Sequence, residues 1–146
     1  MNHHVMERAD MIRSRLTGIR RRGTARLLHI SRILMVKDFL ELSDDEVEQL
    51  RNIRIDLSRK LIKLTADIQT ARFDSFSTLS NRPVNFEQLR NNAKNVSQLR
   101  LQRKTAVIDA FEKASKVLSE EQREKLSECV AAWVDDYESE AQEPEA

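Results

Sequence analysis

Apolar residues along most of this chain recur at alternating steps of three and four. Between Asp44 and about Leu79, the positions Val47, Leu50, Arg54, Leu57, Leu61, Leu64, Ile68, Ala71 and Ser75 keep that rhythm, with Arg54 as a polar intruder. The spacing places these side chains on one stripe of an α-helix, and its heptad repetition is that of a seam between two helices. Ser80-Asn81-Arg82-Pro83 ends the helix, because the residue before a proline disfavours helical geometry. A third helix restarts at once. Asn85 caps it with Gln88 three residues on, and Phe86, Leu89, Ala93, Val96, Val107, Ala110, Ala114 and Val117 continue the steps around Arg100 and Arg103. A short turn between two such helices predicts an antiparallel hairpin, roughly 50 Å long at 1.5 Å per residue.

One phrase opens two of the helices. Leu42-Ser43-Asp44-Asp45-Glu46 precedes the second, and Leu118-Ser119-Glu120-Glu121-Gln122 precedes a fourth. In each, the serine is placed to cap the helix and the residue three positions later to reach back to the cap's N–H. The carboxylates between them favour the positive end of the helix dipole. The fourth helix presents Gln122, Leu126, Val130, Trp133 and Tyr137 on one face. Upstream, Leu27, Ile30, Leu34 and Phe39 predict a first helix from about Thr24 to Leu40. The organisation expected is a basic, weakly ordered arm over 1–23, one all-helical domain over 24–137 and an acidic, disordered tail over 138–146.

Composition agrees with an all-α fold. Glycine and proline number only two each, too few for the many turns of a sheet protein. Hydrophobic residues make up 40% and charged residues 34%, so the helices should form thin layers with wide solvated faces, and a homodimer is expected to share the burial. The net charge of +1 conceals a split. Residues 1–36 hold eight arginines against two acids, whereas residues 118–146 hold ten acids against two bases. A lone cysteine, Cys129, excludes an internal disulfide and sits at helical spacing with Leu126, Val130 and Trp133, as a buried structural thiol would.

Catalytic chemistry finds no footing. The histidines are His3, His4 and His29, no nucleophile is paired with a base at a recognisable spacing, and two glycines do not make a phosphate loop. The chain is therefore read as a non-enzyme without a cofactor. His3 and His4 are weak candidates for Cu(II) or Ni(II), since a third-position histidine and a free amine chelate in a square plane. Arg20-Arg21-Arg22 with Arg26 and Arg32 is a basic cluster able to touch phosphates, but no base-reading helix accompanies it, and nucleic acid is not the preferred partner.

The remaining constellation is a second stripe of mixed character. Ile55, Ile62, Phe73 and Phe76 alternate with Arg51, Arg54, Arg59, Lys60 and Lys63, and on the third helix Leu99, Leu101 and Ile108 alternate with Arg100, Arg103 and Lys104. Such a stripe is either a second packing face at a dimer contact or a surface that holds unfolded chains through apolar contact and charge. Arg51, Ile55, Arg59, Ile62, Phe73, Phe76, Arg100, Leu101, Lys104 and Ile108 are the candidate client-binding residues.

The layout resembles the Spy/CpxP family of periplasmic stress proteins, known for LTxxQ motifs. Leu118-Ser119-Glu120-Glu121-Gln122 matches with serine for threonine, and Leu42-Ser43-Asp44-Asp45-Glu46 matches with glutamate for glutamine besides. The resemblance covers about Leu40 to Leu126. It implies a four-helix subunit in a curved antiparallel homodimer, ATP-independent binding of unfolded or misfolded proteins, and a link to a sensor kinase or metal-response system. In a related branch of heavy-metal sensors and zinc-resistance proteins, histidines bind metal; this chain has none between Leu40 and Leu126. The expected function is that of a chaperone-like protein. The alternatives are a metal-responsive envelope protein and a nucleic-acid or membrane module using the basic arm. The family implies a periplasmic address, whereas the sequence as it stands shows no signal peptide, which leaves a cytoplasmic one as the alternative.

Overall fold

The structure, a computed structural model, describes residues 27–142, with side chains through Ser139. The arm over 1–23 with His3 and His4, and the last four residues of the tail, lie outside the described residues. Those described are all helical. Helices α1 (Ile30–Met35), α2 (Asp44–Ser80), α3 (Phe86–Ser115) and α4 (Glu120–Gln142) follow one another with no strand between them. No described helix is long and apolar enough to cross a membrane.

Each helix start has a local cause. Ser43 Oγ accepts from the Glu46 N–H at 3.1 Å, and Glu46 accepts in return from the Ser43 N–H at 3.1 Å. At α4 the same exchange runs from the Gln122 N–H to Ser119 Oγ at 3.2 Å and from the Ser119 N–H to the Gln122 amide oxygen at 2.9 Å. Asn85 Oδ1 caps α3 by accepting from the Gln88 N–H at 3.0 Å. These bonds satisfy donors that the first turn of a helix otherwise leaves orphaned.

The helix expected from about Thr24 to Leu40 is broken at His29. His29 is extended, with φ −74° and ψ 133°, and its Nδ1 accepts from the Ser31 N–H, so the imidazole starts α1 at Ile30, and α1 runs only to Met35. After Met35 the chain closes in turns. Glu41 takes the left-handed conformation, φ 54°, while the Leu42 N–H bonds the Lys37 carbonyl and the Glu41 N–H that of Asp38. That pattern is a Schellman closure, here made without the usual glycine.

The two long helices, joined by residues 81–85, pack against one another. On α2 the buried side is Leu50, Ile53, Leu57, Leu64, Ile68, Ala71 and Thr78. On α3 it is Ala106, Val107 and Ala114, preceded by half-buried Leu89, Asn92, Val96, Leu99 and Arg103. Phe86 and Ala93, expected on this seam, are exposed. Asn92 holds the place instead, donating from Nδ2 to Thr78 Oγ1 at 3.3 Å, and a polar residue in the seam is invisible to a count of apolar steps.

At the end remote from the Asn81–Asn85 turn, α1 and α4 close the core. Ile30, Ile33, Leu126, Cys129 and Trp133 belong to one buried cluster with Leu50, Ile53, Leu57, Val107 and Ala114. The Arg32 guanidinium lies 5.2 Å from the centre of the Trp133 ring, a cation–π distance. Helix α4 continues over residues 138–142, the first part of the stretch expected as a disordered tail. Glutamate, alanine and glutamine are good helix formers, and no residue disfavours helix before the one preceding Pro144.

Candidate functional site

Helical phase separates two faces on each long helix. At about 100° per residue, Ile55, Ile62, Phe73 and Phe76 lie about 150° round from the α2 seam, and Leu101 and Ile108 lie about 150° round from the α3 seam in the same sense. With the seams facing each other, each stripe lies about 30° from the back of its own helix, so the two point outward and away from one another. Ile53 and Ala106, nearer the seams, are buried.

All ten candidate residues are exposed: Arg51, Ile55, Arg59, Ile62, Phe73 and Phe76 on α2, and Arg100, Leu101, Lys104 and Ile108 on α3. Ile62, Phe73 and Phe76 are open to solvent at 71%, 72% and 69%. Of the surrounding residues, Lys60 and Lys63 are exposed, whereas Arg54, Leu99 and Arg103 are half-buried and belong with the seam. Leu99 packs against the core. Single exposed hydrophobics are ordinary on a soluble protein; several large ones in phase along one stripe are not.

Charge reinforces the stripe. Residues 49–107, the outer part of the helix pair, carry twelve lysines and arginines against four acids. The closed end is the reverse: from Glu120 to Glu138, α4 carries seven acids against two bases, and Asp44, Asp45, Glu46 and Glu48 cluster at the start of α2. Among the described residues the charge is thus divided, cationic along the two long helices and anionic along α4 and at the start of α2. Sequence reading by segments of the chain ends missed this, because the cations alternate with apolar residues instead of forming a run.

The two serine phrases meet in space. Gln122 Nε2 donates to Glu46 Oε1 at 3.2 Å and to the Glu41 carbonyl at 3.4 Å, so the residue that completes one capping box bonds the residue that completes the other. Lys125 adds an ion pair to Glu41 at 3.5 Å. The Glu46 carboxyl is held below its ordinary value, first by the Ser43 N–H and then by side-chain bonds from Gln122 and Ser43, against some desolvation. Leu118 is buried and Leu42 half-buried beside these caps, both packed on the core. This junction is structural: it fixes how α4 seats against the start of α2.

Nothing at either place assembles reactive groups. Among the described residues no three His, Cys, Asp or Glu side chains cluster as a metal site would require. Burial, aided by Glu128, pushes the Cys129 thiol up to about 11, which makes it a poor nucleophile. His29 serves as a cap. What the outer face offers is apolar and cationic contact over a long, open surface. No family model, curated protein or solved structure matches this chain.

Proposed function

We propose that this protein is an ATP-independent, chaperone-like binder of unfolded or misfolded polypeptides. Its build is proposed to be of the Spy/CpxP kind, with the long antiparallel helical hairpin as the working part and a curved homodimer as the assembly. The observation that carries the reading is the exposed stripe of Ile55, Ile62, Phe73, Phe76, Leu101 and Ile108 set among Arg51, Arg59, Arg100 and Lys104. A non-native chain exposes apolar segments and, in most sequences, acidic ones. Scattered apolar contacts and long-range attraction suit such a partner, because neither demands one geometry. Weak, distributed contact also lets a client fold while held or leave soon.

An aggregation assay on a chemically denatured test protein decides the matter. The full chain at stoichiometric ratio should suppress light scattering without nucleotide. The double variant Ile62→Ser/Leu101→Ser should lose most of that suppression while melting within about 2 °C of the parent, since both side chains are already in water. A parent protein that suppresses nothing would remove the proposal.

A further inference from the structure

Helix α4 has an outer face that nothing among the described residues covers. At about 100° per residue, Glu124, Glu128, Asp135 and Glu138 fall within about 80° of arc, opposite buried Leu126, Cys129 and Trp133. All four acids are exposed, and Ala131, exposed between them, is small enough to let another chain approach. None of the four has an ion-pair partner among the described residues, whereas Glu121, nearer the start of α4, pairs with Lys125 at 3.8 Å. Asp136 has a partner of its own. From Ser127 to Gln142 the sequence holds no lysine or arginine. The last turn of α4 therefore lacks a basic residue, although the C-terminal end of a helix favours cations.

The path of the chain brings a cationic segment to this face. The Arg32 guanidinium lies over the Trp133 ring, and nine residues later the Glu41 carbonyl lies 3.4 Å from Gln122 Nε2. Between them the chain passes α4 from its C-terminal half toward its start. Followed backwards, it leaves the core at Leu27, which shares the buried cluster with Trp133. Arg20, Arg21, Arg22 and Arg26 come immediately before Leu27, and residues 11–26 hold six arginines and no acid. The seven residues from Arg20 to Leu27 reach about 23 Å when extended, and Glu124 to Glu138 spans about 21 Å of helix.

We propose that the outer face of α4 is the docking site for the arginines at the protein's own N-terminal end. Arg20, Arg21, Arg22 and Arg26 lie along Glu124, Glu128, Asp135 and Glu138 of the same chain. Attachment through so short a stretch gives these arginines an effective concentration of about millimolar at the face, which the cationic helices of a second copy do not match. Each pair is exposed and weak, so the contact is a sum over several pairs and yields to salt. While it holds, the basic cluster is withheld from phosphate ligands.

Trypsin reads this contact in the full chain, because it cleaves after the arginines concerned. Fragments are followed by mass spectrometry, with cleavage after Arg8, outside the contact, as the internal reference. Cleavage at Arg20, Arg21, Arg22 and Arg26 should be about fivefold faster in Glu124→Gln/Glu128→Gln/Asp135→Asn/Glu138→Gln than in the parent. In about 0.5 M salt the parent should match that variant. Arg20→Gln/Arg21→Gln/Arg22→Gln alters no side chain of the helical core and should speed cleavage after Arg26 to a similar degree. Two results would overturn the proposal: equal rates in the parent and both variants, or protection that grows with protein concentration and so belongs to the arginines of another copy. Client suppression rests on Ile62 and Leu101, remote from this contact in sequence and in charge, so the two proposals fail separately.

Discussion

Replacing Gln122 with alanine removes three hydrogen bonds where the two capping boxes meet. The bond from the Ser119 N–H, 2.9 Å, belongs to the exposed cap, and losing it costs about 0.5–1 kcal/mol. The bond to Glu46, 3.2 Å, is partly buried and goes to a carboxylate, for about 1 kcal/mol more. The bond to the Glu41 carbonyl, at 3.4 Å, is long enough to add little. The total is about 2 kcal/mol. For a chain of this length that corresponds to a fall in melting temperature of about 6–8 °C. Far-UV circular dichroism melts measure it, with Arg123→Ala, an exposed neighbour, as the control within about 0.5 kcal/mol. A double-mutant cycle with Glu46→Ala isolates the bond between the boxes and should return a coupling of about 0.5–1 kcal/mol. Acid should weaken the parent here. Because the folded carboxyl of Glu46 titrates below its unfolded value, its contribution is whole above the unfolded value and is lost as pH falls through the folded one. A loss under about 2 °C, or strictly additive variants, would refute the claim that the boxes brace each other.

The remaining predictions concern the closed end. Cys129 should resist a thiol reagent in the native protein at pH 8 and react on denaturation, since burial holds its thiol up to about 11. The same shift makes stability fall as pH rises from about 9 to 11, where the unfolded chain releases the proton and the folded chain keeps it. Trp133 is fully buried, and its indole N–H has no partner among the described residues, so Trp133→Ala should cost about 3–5 kcal/mol in urea titrations. Trp133→Phe should cost well under half of that, because it also removes a buried donor that no acceptor meets.

How far the sequence revealed this molecule depended on the range of the interactions involved. The starts of α2, α3 and α4 were legible because Ser43, Asn85 and Ser119 bond backbone three residues away, and such bonds are written in local spacing. The start of α1 was not, since His29 is no customary cap and the apolar steps run through it unbroken. The phase of α3 was misread at Phe86 and Ala93 because Asn92 and Thr78 settle the seam by a bond fourteen residues apart in the chain. Glu41 gave no warning of a left-handed turn, lacking the glycine that usually marks one. The second stripe was visible as periodicity. That it stays uncovered depends on where α1 and α4 add to the core, and Ile30, Ile33, Leu126, Cys129 and Trp133 join one buried cluster that leaves it open. The meeting of Gln122 with Glu46, seventy-six residues apart, had no signal in the sequence beyond the repeated phrase itself.

The uneven thickness of the fold has a consequence for its motion. Near Leu50 and Leu57 four helices share one core, whereas past Leu64 only Ile68, Ala71 and Thr78 of α2 are buried, against half-buried Val96, Asn92 and Leu89. Cohesion therefore declines along the rod like the teeth of a zip fastened at one end. The distal turns can part and re-close while the base stays whole, which makes amide exchange a graded ruler, slow beside Leu50 and fast beside Thr78.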